Sequence, residues 1–298
     1  MHCWWVRRII TLILEEINTL APALLQRESE QQADTGKKVD IVYPLGNGSK
    51  HDNLELRFSL RSIERYLHDY RNIYIIGVKP KWLLTGEFLS DDGTHKIIHI
   101  PFTDHKQRSE NVFNKLMHIS NMPDVSDDFL LMNDDFFFIH ARSAADYKFY
   151  YRGEIADFLK TAQHSAYKQT IENTYRALIK RGVTTYNYAV HKPLLIHRQA
   201  FTVLMDDFDF RINGGYSVRS LYCNLRVVGG ELIDDPKINR PRTEKHLGTI
   251  PYKYGDSFSV NDRALNKDMI AWMQGYYPQA APYENYPSEH PGGAKGAV

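Results

Sequence analysis

The sequence has little of several features that define other protein classes. Only two of its 298 residues are cysteines, Cys3 and Cys223, which form neither a disulfide framework nor a metal-binding motif. This scarcity predicts a reducing compartment such as the cytoplasm. The formal net charge of +1 excludes a generally cationic coat for nucleic acid, although a local basic patch stays possible. A hydrophobic content of 43% and a charged content of 24% are typical of a soluble globular protein.

The sequence also lacks a long uninterrupted apolar run. Residues 3–25 are apolar, but charged pairs interrupt them, and the stretch Ile9–Leu14 between those pairs is far too short to span a bilayer. A small-residue cleavage site after a basic start is missing, so we expect no signal peptide. We predict that residues 1–38 form an amphipathic helix and a polar linker. The helix docks on the following domain or, alternatively, contacts a membrane surface peripherally through Trp4 and Trp5.

The sequence contains neither a Walker A motif nor a dinucleotide fingerprint. It does contain a simpler pattern that is typical of phosphate-binding loops. The β-branched strand Val39–Gly46 breaks into the loop Gly46–Ser49, and a helix with Asp52 or Asn53 as its N-cap follows. A strand, a glycine loop and a helix N-terminus together favour phosphate binding. Arg57 and Arg61 lie four residues apart on one face of that helix, where they could face phosphate or pair with nearby acids and solvent.

The most informative stretch is FLLMNDDFFFIH, residues 129–140. Short apolar runs on both sides of Asn133-Asp134-Asp135 predict a buried strand. Burying adjacent carboxylates is costly unless a cation or hydrogen-bond donors compensate them. The stretch therefore suggests a divalent metal with oxygen ligands, Mg²⁺ or Mn²⁺, at the exposed end of the strand. The alternative is a turn between two strands with both aspartates solvated.

The order of elements predicts an α/β fold. Strands at 39–46, 72–83, 96–101 and 129–140 alternate with helices at 53–67 and 109–120. This alternation is typical of a doubly wound, mainly parallel sheet that binds its ligand at the carboxyl ends of the strands.

The remaining divisions follow from composition. We predict a catalytic domain over residues 39–275, with a helical insertion or lid at 142–182 and a disordered tail at 276–298. The insertion carries Lys168, Arg176, Lys180 and Arg181, which either contact an acceptor or nucleic acid or form a solvated helix face.

These motifs, in this order, resemble a known family. The run NLELRFSLRSIERYL, NIYIIGVKPKWL, FNKLMHIS and VSDDFLLMNDDFFFI resembles the central conserved region of the Stealth family of sugar-phosphate transferases. The VHKP stretch at His191 resembles the later His-Pro segment of the family. The resemblance covers about Val39 to Phe201, and more weakly to Asn224. It implies a nucleotide-sugar domain of the glycosyltransferase-A (GT-A) type.

The opening of the domain departs from the family pattern. Stealth proteins usually open with Tyr-x-Trp-Val-Asp-Gly, whereas this chain has YPLGNGS and lacks that tryptophan and aspartate. If the missing aspartate takes part in phosphoryl transfer, that reaction is in doubt here. The variant opening is similar to a group of short glycosyltransferase-like proteins of phages and bacteria, some of which are proposed to glycosylate hydroxymethylated DNA bases.

The resemblance implies roles for particular residues. Asp135 is expected to bind a divalent metal (Mn²⁺ or Mg²⁺) with the help of Asp134, while Asn133 suits ribose or sugar hydroxyls. His246 and His191 are candidates for a third ligand, although either suits a structural role equally. Donor phosphates are expected to meet basic side chains and the loop and helix start after the first strand, namely Arg57, Arg61, Lys115, Gly46, Asn47, Ser49 and Asn53.

Catalysis is expected to involve Asp135, His191 and, as an acceptor-side base of an inverting enzyme, Asp207; Asp209 is the neighbouring candidate, and solvated loop acids are the alternative for both. The first hypothesis is a metal-dependent glycosyltransferase that moves a sugar from a nucleotide-diphosphate donor to a glycan or to hydroxymethylated DNA. The second is a Stealth-like hexose-1-phosphate transferase. The third is a non-catalytic sugar- or DNA-binding module.

Overall fold

The computed structural model describes residues 37–90, 93–105 and 107–285. The predicted N-terminal helix and its two tryptophans lie outside these residues, as does the end of the predicted tail, 286–298. None of the helices within the described ranges is long and apolar enough to cross a membrane.

The described chain alternates short strands and helices. The strands are β1 (Val39–Leu45), β2 (Leu67–His68), β3 (Tyr70–Gly77), β4 (Gly86–Ser90), β5 (Gly93–Pro101), β6 (Asp128–Leu131), β7 (Phe136–Phe138), β8 (Arg142–Ser143), β9 (Tyr150–Tyr151), β10 (Leu194–His197), β11 (Glu231–Leu232), β12 (Lys237–Ile238) and β13 (Ser257–Val260). The helices are α1 (Leu54–Tyr66), α2 (Arg108–Ser120), α3 (Ile155–Thr161), α4 (Ala166–Arg181), α5 (Arg198–Met205), α6 (Val218–Arg226), α7 (Glu244–Leu247), α8 (Ile250–Lys253) and α9 (Lys267–Tyr276).

The central sheet confirms the predicted α/β class. Its six strands are ordered β10-β6-β1-β3-β5-β4, and β6, β1, β3 and β5 run parallel. The two edge strands, β10 and β4, are antiparallel to their neighbours. The parallel core explains why β1 and β3 read as continuous apolar runs, since helices and loops cover both faces of such a sheet. The hairpin strand β4 has no counterpart in the prediction.

The stretch 129–140 is two strands rather than the single strand predicted. β6 ends at Leu131, the chain turns through Asn133–Asp135, and β7 pairs with β13 in a separate three-stranded sheet of order β12-β13-β7. A turn is the physical solution for two adjacent carboxylates, because a buried ladder offers them no donors. The side chains of β7 alternate between two cores: Phe136 and Phe138 share the core of Leu130, while Phe137 enters the core of the small sheet.

Two further boundaries differ from prediction. The helical insertion begins at Ile155 rather than at 142, because β8 and β9 occupy the first part of that range. The tail does not begin at 276: Tyr277, Ala281 and Tyr283 are buried, and Tyr283 packs in the core of the central sheet. These aromatic side chains bury apolar area that a disordered tail leaves in water.

Candidate active site

Two loops meet at one edge of the central sheet. β1 and β6 are parallel neighbours, with Val42 opposite Leu131, so their carboxyl ends lie side by side. The backbone N–H of Met132 donates to the Val42 carbonyl at 2.9 Å, which carries the pairing to the start of the turn. The loop after β1 and the turn Asn133–Asp135, called the acidic turn below, therefore share the edge at which open α/β sheets bind ligands.

Asp135 is only partly compensated by the protein. Its Oδ2 accepts hydrogen bonds from Lys237 Nζ at 3.2 Å and from Ser259 Oγ at 3.1 Å. Its Oδ1 is buried and has no hydrogen-bond partner among the described residues. Lys237 and Ser259 come from the small sheet, so that sheet turns its β12–β13 edge towards the acidic turn. A buried, unpaired carboxylate oxygen is costly and suggests a partner that arrives with the substrate.

Asp134 lies in an environment that disfavours its charge. Burial, then the neighbouring charges of Asp135 and Glu55, raise the pKa of Asp134 to about 7, although Arg108 opposes the shift. Glu55 is itself buried, and its Oε2 accepts from Ser49 Oγ at 3.0 Å. Three carboxyl groups therefore influence one another at this edge.

His191 is held on both ring nitrogens. Its Nδ1 lies 2.9 Å from Asp235 Oδ2, and its backbone N–H donates to Asp235 Oδ1 at 3.0 Å. Its Nε2 lies 3.0 Å from Lys237 Nζ. An ammonium group only donates, so Nε2 is the acceptor and the ring carries its proton on Nδ1. This neutral tautomer presents a basic nitrogen towards the acidic turn, as a general base requires.

Asp235 keeps its negative charge beside the histidine. Burial opposes ionisation, but the hydrogen bonds from His191 and the charge of Arg152 hold the pKa of Asp235 below its ordinary value. We call His191, Asp235 and Lys237 the His191 cluster. Through Lys237, which contacts both His191 and Asp135, the cluster joins the acidic turn.

Arg219 closes the site from α6. One guanidinium nitrogen donates to the Lys192 carbonyl at 2.6 Å and another to Asn133 Oδ1 at 3.3 Å. The guanidinium also lies over the Phe136 ring, 5.3 Å from its centroid. Burial lowers the pKa of Arg219 to about 10, so the side chain still carries its charge near neutral pH. It fixes Asn133 and adds a positive charge beside Asp135.

Two predicted phosphate ligands serve another purpose. Arg61 forms a buried, bidentate pair with Glu284, with N–O distances of 2.6 and 2.7 Å. Arg57 lies 3.6 Å from the same carboxylate and stacks over Trp82 at 4.7 Å. The arginine face of α1 therefore anchors the segment after α9, and the phosphate role of both residues stays a prediction.

Lys115 lies beneath the edge rather than on it. The buried ammonium donates to the Leu45 carbonyl at 2.8 Å and pairs with Asp104 at 2.5 Å. Asp104 also borders Gly46, where an added Cβ would lie 3.6 Å from its Oδ2. The lysine thus supports the end of β1 instead of reaching a donor phosphate.

The loop after β1 keeps its predicted place next to the acidic turn. Gly46 and Asn47 continue β1 into the loop, and Ser49 Oγ accepts from the backbone N–H of Asn53 at 2.9 Å. Asn53 is the N-cap of α1, but its side chain makes no capping bond, and its Oδ1 is buried without a partner among the described residues. Backbone and side-chain groups of this loop thus stay available beside Asp134.

The other predicted acids and the late histidine lie elsewhere. Asp207 is exposed and pairs with Arg181 at 3.4 Å, while Asp209 pairs with Arg211. Both line a groove of about 490 Å³ between α2 and the loop after α5. His246 Nδ1 contacts Thr243 Oγ1 at 2.8 Å on the short helix α7.

The role of His246 as a third metal ligand stays a prediction. The described ranges contain no group of three His, Cys, Asp or Glu side chains that could hold a metal ion. The acidic turn nevertheless fits a divalent cation, because Asp135 Oδ1 has no partner among the described residues and burial, with the nearby charges of Asp135 and Glu55, raises the pKa of Asp134. Mg²⁺ is commonly held by one or two carboxylates together with substrate phosphates and water. Asp134 and Asp135 suit that arrangement.

Sequence reasoning found the acidic turn and His191 but missed the residues that organise them. Asp235 and Lys237 lie in the short stretch DDPKI, and Arg152 follows β9. A local signal was present, since Asp235 and Lys237 flank a proline at the start of the two-residue strand β12. Nothing local indicated that this strand would pair beside β13 and face His191.

The sequence comparisons identify related proteins. Residues 49–156 match the sequence model of Stealth protein CR2, conserved region 2. The chain is 24% identical over 272 residues to the exopolysaccharide phosphotransferase SCO2594 of Streptomyces coelicolor, an alignment that covers 77% of this chain and 44% of that protein. It is 28% identical over 171 residues to SCO2592 of the same organism, named likewise, covering 52% and 17%. The chain thus spans less than half the length of both curated relatives.

Solved structures with a similar arrangement include two glycosyltransferases. One is the galactosyltransferase LgtC in complex with donor and acceptor sugar analogues, with a TM-score of 0.45 and 14% identity, covering 84% of this chain and 98% of that one. The other is the apo form of the glycosyltransferase GlyE of Streptococcus pneumoniae, with a TM-score of 0.41 and 12% identity, covering 82% and 61%.

Proposed function

We propose that this protein is a sugar-phosphate transferase. Its residues 49–156 match conserved region 2 of the Stealth proteins, and in this sense the chain is Stealth-like. The donor is a nucleotide-diphosphate sugar, and the acceptor is a hydroxyl group of a glycan. The observation that carries this proposal is the placement of His191. Its Nδ1 contacts Asp235, and its Nε2 contacts Lys237. The same lysine contacts the partly unpaired carboxylate of Asp135, at the edge where such a sheet binds its ligand.

His191 acts as the general base. The acceptor oxygen attacks the sugar-bearing phosphorus of the donor while its proton passes to Nε2 of His191. The bond from that phosphorus to the bridging oxygen breaks, and the nucleoside monophosphate leaves. Asp235 holds the ring in the required tautomer and stabilises the imidazolium that forms.

Lys237 moves during this reaction. In the free protein its ammonium group contacts both Nε2 of His191 and Oδ2 of Asp135. A donor phosphate competes for the ammonium group, since charge-assisted bonds to phosphate are strong. Lys237 then binds the phosphate and frees Nε2 to take the proton.

The acidic turn and Arg219 provide the remaining electrostatics. Asp134 and Asp135 would hold a divalent cation, which when bound neutralises donor phosphate charge. Arg219 keeps Asn133 in place and contributes a positive charge where negative charge develops on the transferred group. Since Asn133 is fixed by this contact, its free amide group can bind a hydroxyl of the donor.

Glycosyl transfer is the second candidate, and a specific observation favours it. β1 ends at Leu45, and the aspartate of the Stealth opening pattern falls on Asn47 in the loop that follows. The neighbouring Asp104 is occupied by Lys115. If that aspartate is needed for phosphoryl transfer, the same site instead breaks the bond between the sugar and the diphosphate.

A glycan fits the acceptor side better than DNA does. Of the basic residues on α4, Arg181 pairs with Asp207 and stacks over Phe208 at 4.1 Å. At 100° per residue Arg181 also lies about 140° around the helix from Lys168. The basic residues therefore do not form the single cationic face that a DNA acceptor calls for.

The test is to identify the nucleotide released. The protein is incubated with a panel of nucleotide sugars, Mn²⁺ or Mg²⁺, and polysaccharide or hydroxymethylated DNA as acceptor. A nucleoside monophosphate is the expected product, and release stimulated by polysaccharide supports the glycan acceptor. A nucleoside diphosphate would replace the proposal with glycosyl transfer. Release stimulated only by the DNA would overturn the acceptor assignment, and silence with all donors and acceptors would contradict both reactions.

A further inference from the structure

The helical insertion, residues 155–184, is closed by a short neck beside the His191 cluster. The neck consists of residues 150–155 and 185–187, which exchange backbone hydrogen bonds. Arg152 N–H donates to the Asn187 carbonyl at 3.0 Å, Asn187 N–H donates to the Gly153 carbonyl at 2.8 Å, and Ile155 N–H donates to the Thr185 carbonyl at 2.9 Å. His191 follows the neck by four residues. The neck thus fixes where the backbone of Arg152 lies relative to His191.

The Arg152 side chain connects the insertion to the carboxylate that holds His191. One guanidinium nitrogen donates to Asp235 Oδ2 at 3.3 Å, and another donates to the hydroxyl of Tyr167 at 2.8 Å. The guanidinium also lies over the Phe158 ring, 5.0 Å from its centroid. Phe158 and Tyr167 belong to α3 and α4, and their rings contact each other at 5.8 Å. Both helices of the insertion therefore hold Arg152.

The Asp235 carboxylate receives donors from two sides. His191 supplies its Nδ1–H and its backbone N–H, and Arg152 supplies a guanidinium N–H. The other charged and titratable groups that face this pair are Lys237 from β12, Arg219 from α6, Tyr167 from α4 and, beyond Lys237, Asp135. Without Arg152, Asp235 keeps a single partner residue and can rotate away from Nδ1. A carboxylate held from two sides has one orientation, and that orientation acts together with the Lys237 ammonium group at Nε2 to select the histidine tautomer.

We propose that Arg152 is a positioning residue that holds Asp235 against His191, and that Tyr167 makes this contact depend on the docking of the insertion. The proposal deepens the proposed function, since it rests on His191 acting as the base. It predicts that the insertion contributes to the rate of the chemical step and not only to acceptor binding.

The first test measures the histidine ring without substrate. Imidazole nitrogens of the ¹⁵N-labelled protein are observed by NMR at alkaline pH, and the signal is assigned by its loss in His191→Gln. The wild type is expected to show the Nδ1–H tautomer. Arg152→Ala is expected to show a mixture of tautomers, and Tyr167→Phe a smaller shift in the same direction. Lys160→Gln is the matched control, since Lys160 is exposed on α3 and pairs only with Asp157 there.

The second test uses turnover and chemical rescue. Arg152→Ala is expected to lower kcat by about 10- to 100-fold, with the donor KM changed by less than about 3-fold, because only the transition state uses the base. Added guanidinium ion is expected to restore part of kcat in Arg152→Ala but to leave Tyr167→Phe and Lys160→Gln unchanged. Arg152→Lys is expected to retain more activity than Arg152→Ala.

The outcomes separate this proposal from the function on which it rests. A wild-type protein without turnover contradicts the proposed function, while the tautomer comparison still decides the role of Arg152. An Arg152→Ala protein with the wild-type tautomer and kcat overturns the proposal. If Arg152→Ala does not fold, Tyr167→Phe decides: an unchanged ring signal and kcat in that variant contradict the coupling to the insertion.

Discussion

Two acids next to the same pair of strands have opposite environments. Asp40 lies on β1 opposite Phe129 of β6, near the amino ends of both strands, and it is completely buried. Its carboxylate accepts four hydrogen bonds, from Arg71 Nε at 3.0 Å, Arg71 Nη2 at 2.6 Å, Asn72 N–H at 3.1 Å and Ser126 N–H at 2.7 Å. The fold alone satisfies this acid.

Asp135 lies beyond the carboxyl end of β6 and is not satisfied in this way. One oxygen contacts Lys237 and Ser259, the other has no partner among the described residues, and the adjacent Asp134 is driven towards its neutral form. Buried polar groups that a fold needs are paired, as Asp40 is. The difference indicates that the acidic turn is built for a ligand, and each prediction below breaks or sharpens that contrast.

The largest expected effect is that the same Asp→Asn substitution costs activity at the carboxyl ends of the strands and stability at their amino ends. Asp135→Asn should reduce turnover at least about 10³-fold and leave the free energy of unfolding equal or higher, because it removes a buried charge of which only one oxygen has a protein partner among the described residues. Asp40→Asn should destabilise the protein by about 2 kcal/mol and leave kcat of the folded fraction within about 2-fold. Turnover and urea unfolding of both variants check this. Loss of stability in Asp135→Asn comparable to that in Asp40→Asn would remove the distinction.

The next effect concerns the base. His191→Gln should lower kcat about 10²-fold or more and keep the thermal midpoint within about 2 °C, since His191 is only half-buried and its partners can rehydrate. Its KM for the donor should change little. Activity close to wild type would show that another group takes the proton.

A smaller effect is a pH dependence confined to the ligand end. The pKa of Asp134 is raised in the folded protein to about 7, so between its ordinary value near 4 and about 7 the folded state binds more protons than the unfolded state. The contribution of Asp134 therefore makes metal-free protein less stable as pH rises through this window, and the loss is complete above it. Urea unfolding in EDTA from pH 5 to 8 measures the slope.

The matched variant for this effect is Asp134→Asn, which should have a flatter profile than the wild type over the same pH range. Mn²⁺ or Mg²⁺ added at pH 8 should stabilise the wild type and not the variant, because a cation that binds only the folded state stabilises it. If the stability of the wild type and that of Asp134→Asn change in parallel with pH, the assignment of the raised pKa to Asp134 is contradicted.

The smallest expected effect on catalysis is at the arginine face of α1. Glu284→Gln should cost about 2–4 kcal/mol of stability, since it leaves the guanidinium of Arg61 facing a weaker partner in a buried site. The donor KM should stay within about 2-fold of wild type. A large rise in the donor KM without a loss of stability would return Arg61 to the phosphate site.

The sequence was sufficient for features that depend on local pattern and strand polarity. The apolar strands alternating with helices predicted a mainly parallel sheet with its ligand at the carboxyl ends, and the observed pairing of β1 with β6 places the loop at Gly46 beside Asp134 and Asp135. The family resemblance located His191. The pattern also predicted that Arg57 and Arg61 share one face of α1, but it could not show what that face meets. The answer is Glu284, which lies 223 residues beyond Arg61.

The missed residues have the same physical origin. Lys237 contacts Asp135 across 102 residues, and Arg152 contacts Asp235 across 83. Each contact is made by a strand of only two residues or by the residue that follows one. Such elements have no periodicity to read, and their position is set by pairing with β13 and by the neck of the insertion.

The most direct measurement follows the phosphorus atom next to the sugar. A nucleotide sugar labelled with ³²P at that position is incubated with the protein, a divalent cation and a polysaccharide acceptor, with His191→Gln as the inactive control. If the protein transfers a sugar phosphate, the label enters the polysaccharide and unlabelled nucleoside monophosphate is released. Label that stays in a released nucleoside diphosphate would show that the glycosidic bond is cut, and would contradict the assignment of this site to phosphoryl transfer.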